Sequence, residues 1–474
     1  MRLTVFWEIR DLGLVLAIIL PKNMKVVFTT MFRETKGGGI GRVAHEIAPA
    51  FAFKHETLFI YPGWKTILKK RGKLTRLEIQ SEEKNEIAIP ILSSKNIKKI
   101  FEELKSFSPE IIHAQDLGPL SFLIQMWARK NKIPFVYTSH VLPTKIAGFG
   151  AQEISGNLGK ILENKLAKKY FINFFENCEA VIALNKNAEK DILKFGYTGK
   201  IFLIPNGRDL SLYKNKKIKN CQAKANKILL FVGYLTRRKN QKFLIETMKY
   251  LPKNYVLKLA GPAIDEKYLV YLRNYCQKYK LNNFEFLGKV PYLDVSKLLL
   301  ETDIFVSASK MEVQSLAIIE ALASGTPVIG LSNETVDELV NIENGFVFSK
   351  NASPKEFAKK VKEICSLPRE EYLKLSDSAR EKVKELDWVK IVNRTAEKYK
   401  EIITDKLSHQ TYQSKNISFE DFRSVTKFFS KLKINKEPYF NDLNVIILAL
   451  TTLLASNFCS LFEEANSLIR KIRD

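Results

Sequence analysis

Two glutamates eight residues apart, Glu312 and Glu320, are the side chains with the clearest potential for chemistry. They lie in the stretch Asp303–Gly330, which opens on the apolar run Ile304-Phe305-Val306 and closes on Pro327-Val328-Ile329. Between these runs the pattern predicts a turn of small and polar residues, then a short helix over Ser315–Ser324. Ser315 stands at the N-cap position, and Gly325 and Pro327 stop the helix. A strand-turn-helix-strand unit sets a helix N-terminus at the carboxyl end of a parallel sheet, where α/β proteins bind phosphorylated ligands. Acids at that place repel an anion unless they grip its sugar hydroxyls. The alternative reading is a pair of solvated helix-face glutamates.

Three further groups could serve such a ligand. Phe231-Val-Gly-Tyr-Leu-Thr-Arg-Arg-Lys-Asn240 runs from a buried strand into a helix start, which would set Arg237, Arg238 and Lys239 beside a helix N-terminus. Three cations and a helix dipole make a diphosphate site; a solvated basic turn is the alternative. Gly37-Gly38-Gly39-Ile40-Gly41 follows a first strand and precedes a helix, so its N–H groups could approach a phosphate, or it is simply a tight turn. It departs from the GxGxxG spacing, and no acid follows at ribose-binding distance, which argues against a dinucleotide site. His113 and His140 each end a strand; such a histidine is more often structural, but Val-Leu-Pro after His140 favours a substrate contact there.

These residues need a scaffold that brings strand ends together. From Met24 short apolar strands alternate with amphipathic helices: a strand, a helix over Arg42–Phe53, strands at Thr57–Tyr61 and Glu110–His113, and helices at Ile97–Ser106 and Leu120–Lys130. Strands at Pro134–Ser139, Ala180–Leu184 and Ile201–Ile204 follow, the first two separated by a long amphipathic stretch, Leu158–Phe175. After a polar, lysine-rich break over 207–226 the series resumes with strands at Ile228–Val232, Val256–Ala260 and Phe284–Leu287. Helices at Gln241–Tyr250, Glu266–Lys278 and Leu293–Glu301 accompany them, and helices fill Pro354–Ile403. Repeated βα units predict an α/β fold of two facing Rossmann-like domains, 24–207 and 208–387, with the ligand cleft between them. A helix over 388–406 would cross back to the first domain, and a helical extension would follow over 407–474.

The totals bound the partners. A chain of 474 residues with 46% hydrophobic content supports two cores. The net charge of +25, from 76 Lys and Arg against 51 Asp and Glu, favours anionic partners: nucleic acid, an anionic bilayer or nucleotide-linked substrates. Residues 211–250 hold eleven Lys or Arg against one Glu, yet no interleaved aromatics, zinc knuckle or helix-turn-helix pattern accompanies them, which argues against nucleic acid. The patch Trp64–Arg76 fits either an anionic lipid surface or a solvated loop. Five scattered cysteines, none in CxxC spacing, read as reduced, buried residues with neither metal site nor disulfide frame. No Asp-X-Asp occurs anywhere, which removes the commonest divalent-metal signature of sugar-nucleotide enzymes.

The two ends read differently from the rest. Residues 1–23 carry a nine-residue apolar run, too short to span a bilayer and without a cleavage site, and read as a non-core leader. Leu443–Phe462 is uncharged for 20 residues, but its apolar positions recur at helical spacing with Asn, Thr and Ser opposite. That stripe suits packing or self-association through 443–473, with membrane insertion and interfacial binding as the alternatives.

Together these motifs resemble glycosyltransferase family 4, retaining enzymes of the two-domain B-type fold. The resemblance runs from Met24 to Ile403. It rests on Gly38-Gly-Ile-Gly41, His140, Leu203-Ile-Pro-Asn-Gly207 with Asp209, Phe231-Val-Gly233 with Lys239, Phe286-Leu-Gly288, and Glu312 with Glu320. Ala321–Ile329, Glu343-Asn-Gly-Phe346 and Asp387-Trp388 complete it. The resemblance implies that Glu320 holds the nucleotide ribose and Glu312 contacts the donor sugar near the reacting carbon. Lys239 would neutralise the leaving diphosphate, aided by the N–H groups of the helix starting near Ser315 and Leu316. His140 would contact sugar or acceptor, and Gly38, Gly39 and Gly41 would close over the phosphates. No metal or other cofactor is implied beyond the nucleotide-sugar co-substrate. Two departures stand out: Tyr234 replaces the usual arginine, leaving Arg237 or Arg238 as its substitute, and Glu312-Val-Gln-Ser315 replaces Glu-Gly-Phe-Gly. Glu-Val-Gln and Ser139-His-Val-Leu-Pro143 resemble the members that glycosylate diacylglycerol. That implies a hexose moved from a UDP-sugar to a lipid on the cytosolic, inner face of the cell membrane, the protein being peripheral. A soluble sugar or polysaccharide intermediate as acceptor, and a basic membrane- or nucleic-acid-binding protein on a decayed transferase fold, are the alternatives.

Overall fold

A computed structural model describes residues 23–408 apart from 35, 85–86, 145–164 and 214–220. The leader over 1–23 and the extension over 407–474, with its stripe at 443–473, lie outside the described residues except at their inner ends.

The chain opens with β1 (Lys25–Thr29), α1 (Gly38–Ala52), β2 (Glu56–Gly63), β3 (Ile67–Arg71), β4 (Leu74–Lys84), β5 (Ile87–Pro90) and α2 (Ser94–Phe107). It continues through β6 (Ile111–Ala114), α3 (Pro119–Lys130), β7 (Phe135–Ser139), α4 (Lys165–Glu176), β8 (Ala180–Ala183), α5 (Lys186–Phe195) and β9 (Ile201–Leu203). These strands form one nine-stranded sheet in the order β3-β4-β2-β1-β6-β7-β8-β9, with β5 on β4. Its central strands are parallel and buried on both faces, so they read as unbroken apolar runs such as Val26-Val-Phe28.

A second series follows: β10 (Lys227–Val232), α6 (Gln241–Thr247), β11 (Tyr255–Ala260), α7 (Glu266–Lys278), β12 (Phe284–Gly288), α8 (Tyr292–Glu301) and β13 (Ile304–Ser307). Then come α9 (Leu316–Ala323), β14 (Val328–Leu331), α10 (Val336–Leu339), β15 (Gly345–Phe348), α11 (Pro354–Cys365), α12 (Arg369–Val383) and α13 (Trp388–Ser408). Six parallel strands make the second sheet, in the order β12-β11-β10-β13-β14-β15. Helix α13 returns to the first sheet, where the Tyr399 ring lies 5.6 Å from that of Phe51 and its hydroxyl 2.5 Å from His113 Nδ1. The architecture is the expected α/β pair of parallel-sheet units.

Three local differences from the sequence reading have physical causes. The glycine run does not precede a helix from Arg42; it opens that helix, which starts at Gly38 after Gly37 at φ 77°. Gly41 is required sterically, because a Cβ there would lie 1.9 Å from the Lys36 carbonyl oxygen. Gly41→Ala is therefore expected to cost about 1–3 kcal/mol of stability, read from denaturant unfolding, by forcing the turn off its helix. The patch at Trp64–Arg76 is not a loop but the antiparallel pair β3–β4, with Leu68 opposite Leu77 and Lys70 opposite Thr75. Between Ala180 and Ile204 the chain inserts α5, capped by the Asn185 side chain, which accepts from the Ala188 N–H at 2.8 Å.

Candidate active site

The carboxyl ends of the two sheets face each other, and the candidate residues gather there around two buried carboxylates. Ser315 is the N-cap of α9 by position, but its side chain makes no capping bond. Its N–H donates instead to Thr335 Oγ1 at 2.9 Å, and the Glu312 N–H donates to Glu334 Oε2 at 3.1 Å. The turn before α9 is thus clamped by the loop after β14.

Glu312 is buried and forms an ion pair with Lys239; Arg238 stands 3.9 Å from its other oxygen. Burial pushes the Glu312 carboxyl up, but Lys239 and Arg238 outweigh it and hold it below the ordinary glutamate range. Lys239 is lowered from the ordinary lysine value, by burial first, with Glu312 opposing. Arg238 also donates to the Met311 carbonyl at 2.9 Å, so the basic turn is stitched to the loop after β13. Arg237 does not join: its guanidinium lies over Tyr268 and Tyr271 of α7, at 5.6 and 5.7 Å from the ring centres. Of the three cations expected beside the diphosphate, two converge on Glu312 and the third packs on the outer helix.

Glu320, inside α9, is also buried, and it is not an open carboxylate. Arg42 of α1 reaches across the cleft to 2.8 Å from Glu320 Oε1, and Arg208, in the segment joining the sheets, lies 3.2 Å away. Both arginines also pair with Glu46, one turn beyond Arg42, and the Trp388 indole donates to Glu46 Oε2 at 3.1 Å. The Arg42 guanidinium stacks on Tyr292, 3.1 Å from its ring centre. Burial raises the Glu320 carboxyl above its ordinary range, with Arg42 and Arg208 opposing. Arg42, Glu46 and Arg208 escaped sequence reading, although the Arg42–Glu46 spacing of four was visible as a helical pair.

The glycine turn meets the second unit directly. A Cβ on Gly38 would lie 2.7 Å from the Tyr234 ring, and one on Gly39 would touch Leu316 at 3.4 Å. At Gly38 only glycine lets α1 approach the turn after β10 this closely, and it also sits at φ 55°; the Gly39 distance to α9 is ordinary contact. Asn185 and Gln314 close the other side: Asn185 donates to the Val313 carbonyl at 2.7 Å, and Gln314 accepts from the Asn206 N–H at 2.7 Å.

His140, at the end of β7, is buried and its Nε2 lies 3.0 Å from Gln115 Oε1. An amide oxygen only accepts, so Nε2 carries the proton and Nδ1 keeps its lone pair. Gln115 leads on to His113, whose Nε2 is 3.1 Å away and whose Nδ1 meets Tyr399. Burial lowers His140 to about 3, and burial with the neighbouring His140 lowers His113 to about 3, so both rings are neutral at physiological pH. A cavity of about 270 Å³ opens near Leu142, two residues after His140, bounded also by Asn187, Lys190, Asn333, Glu334 and Lys350; neither histidine lines it. Among the described residues no group of three or more His, Cys, Asp or Glu side chains is placed to hold a metal ion.

Comparisons with known proteins now bear on this geometry. A family model described as Glycosyltransferase Family 4 matches residues 37–212, and one described as Glycosyl transferases group 1 matches residues 213–382. Among curated proteins, alpha-monoglucosyldiacylglycerol synthase of Acholeplasma laidlawii is 24% identical over 279 residues, covering 54% of this chain and 67% of that one. The Streptococcus pneumoniae protein of the same name is 26% identical over 259 residues, covering 52% and 57%. A probable sucrose-phosphate synthase of Thermosipho melanesiensis is 28% identical over 274 residues, covering 55% and 62%. The match thus spans roughly three-fifths of the length of these relatives. Among solved structures, sucrose-phosphate synthase of Thermosynechococcus elongatus superposes with a TM-score of 0.65 at 18% identity, over 80% of this chain and 99% of that one. Anabaena HepE, solved in complex with UDP and glucose, gives 0.62 at 18% identity, over 80% and 100%. These likenesses establish the B-type fold.

Proposed function

The chain belongs to glycosyltransferase family 4 and is a hexosyltransferase, and from that premise we propose that it moves a hexose, with retention, from a UDP-sugar to a lipid acceptor such as diacylglycerol. The carrying observation is the pair of buried acids on either side of one helix N-terminus, each already matched to cations at the cleft. In this reading Glu320 takes the ribose hydroxyls, for which Arg42 must yield its place. Glu312 contacts the donor sugar, and its partners Lys239 and Arg238 meet the charge that develops on the departing diphosphate. No metal ion is part of the proposed step. The acceptor hydroxyl attacks from the face the diphosphate leaves, its proton passing to a diphosphate oxygen as the glycosidic bond breaks. Neutral His140 orients sugar or acceptor by a hydrogen bond rather than by charge.

The diacylglycerol acceptor draws on the two synthases among the relatives and on Glu312-Val-Gln-Ser315, in which Gln314 is committed to the interdomain contact. The cavity bounded by Leu142, Asn187 and Asn333 supplies room for a hydroxylated headgroup. No helix among the described residues is long and apolar enough to cross a membrane, and the reading places the protein at the cytosolic membrane face as a peripheral enzyme. The test is a screen of UDP-sugars with diacylglycerol-containing vesicles, followed by mass spectrometry of the lipids. Acceptor-dependent UDP release is expected, and Glu320→Ala should reduce it at least roughly tenfold, the order of one lost charged hydrogen bond to the ribose. Unchanged turnover in that variant would remove Glu320 from the site, and release with soluble sugars alone would replace the acceptor.

A further inference from the structure

Strand β3 is the outermost strand of the first sheet, and Leu68 to Arg71 are exposed along it. Lys65, Lys69, Lys70, Arg71, Lys73 and Arg76 crowd this hairpin, and Glu78, the nearest acid, is matched by Lys69 at 2.5 Å. Lys65, Lys70 and Arg71 have no carboxylate partner among the described residues. Lysines on an edge strand discourage pairing with another chain, which accounts for some of this charge. It does not account for the aromatic residues at the two ends.

Trp64 is 72% exposed and Phe53 is 87% exposed. Trp64 is held in place: the guanidinium of Arg33 lies 3.7 Å from its ring centre, and buried Arg33 is itself fixed by Ser81 Oγ at 2.8 Å. At the far end Lys73 Nζ donates to the Lys54 carbonyl at 3.0 Å, which joins the hairpin turn to the end of α1, where Phe53 stands out. Five strand residues separate the ends by about 17 Å, and exposed Leu68 lies between them. Aromatic and aliphatic side chains that stand out from a field of unpaired cations are the composition that settles into an anionic headgroup layer. Nucleic acid would need bases stacked along the strand, and its solvent-facing residues are aliphatic or cationic.

We propose that this edge, from Trp64 through β3 to Phe53, is the surface by which the protein docks on an anionic lipid bilayer. It deepens the lipid-acceptor reading and rests on it only for its purpose. Trp64 follows the carboxyl end of β2, the end that faces the cleft, so a docked bilayer lies beside the cleft entrance and acceptor lipid enters from it.

The test is flotation of the full-length chain with vesicles of phosphatidylcholine alone or mixed with phosphatidylglycerol. Binding is expected only with phosphatidylglycerol and is weakened by salt. A Lys65→Glu/Lys70→Glu/Arg71→Glu variant should bind at least roughly tenfold less, and Trp64→Ala several-fold less. Lys355→Glu/Lys359→Glu/Lys362→Glu, an equal charge change on exposed residues of α11, should bind like the unaltered protein. Circular dichroism and the unfolding midpoint verify that each variant is folded. Unchanged flotation of the hairpin variant overturns the proposal, as does an equal loss in the α11 variant, or binding to a single-stranded oligonucleotide without binding to vesicles. Docking without glycolipid product from any UDP-sugar would leave the surface standing and overturn the acceptor instead.

Discussion

Arg208→Ala is expected to lower stability by about 3–5 kcal/mol, the cost of leaving the buried Glu320 carboxylate under-compensated. Arg208 has no exposed surface, and its guanidinium spans Glu46 on the first unit and Glu320 on the second. Truncation removes the tie between the units and leaves Glu320 with Arg42 alone. The effect has a pH signature whose sign follows from the carboxyl. Burial already raises the folded Glu320 above its unfolded value, and losing Arg208 raises it further. A raised carboxyl binds protons more tightly in the folded state, so it favours folding at low pH and costs stability as pH rises through its folded value. The deficit of the variant, measured by denaturant unfolding, should therefore be largest near neutrality and shrink on acidification. Arg208→Met with Glu320→Gln should recover part of it, because no uncompensated charge remains there. A deficit that is the same at every pH would mean that lost packing, not charge, holds the units together.

That network marks the boundary of what residue patterns reveal. The strands and helices of both units follow apolar period, and Glu266–Lys278 falls where the pattern sets it, between an Asp265 cap and the Lys278 end. Strand β3 does not show, because Leu68–Arg71 are exposed and the Lys-Lys-Arg run obeys no alternation. Helix α5 hides for a similar reason: Ala188 and Ile192 are the buried apolar residues in a segment otherwise polar. In the site, Glu312, Glu320, Lys239 and His140 were visible as types at strand and helix ends. Arg208 was not, since a buried arginine is intelligible only once carboxylates 162 and 112 positions away are beside it. The basic turn illustrates the converse. Three consecutive cations look alike in sequence, and only the fold separates Arg237, spread over tyrosines, from Arg238 and Lys239 at Glu312.

Lys239→Ala should produce the largest loss of turnover, about 100- to 1,000-fold in kcat, with a smaller change in KM for the UDP-sugar. The asymmetry follows from where charge grows. In the proposed donor complex the diphosphate is already anionic, and Lys239 and Arg238 would share its binding. As the glycosidic bond breaks, negative charge moves to the leaving oxygen, and a fixed cation in a buried place is worth most at that moment. Lys239 is fixed by Glu312 and its side chain is only 13% exposed, so it would need little reorganisation to act. Arg238, 3.9 Å from Glu312 and tied to the Met311 carbonyl, sits one bond network further out, so Arg238→Ala should cost less. Removing Lys239 also leaves the buried Glu312 carboxylate less compensated, which would itself repel the developing anion. Lys239→Ala/Glu312→Gln, measured against Glu312→Gln alone, separates the two effects: if repulsion dominates, removing Lys239 costs little once Glu312 is neutral, and if the lost cation dominates, it costs as much as before. A change confined to KM, with kcat intact, would reduce Lys239 to a ground-state binding contact and return the burden of leaving-group stabilisation to Arg238 or to Arg42, freed from Glu320 when ribose takes its place.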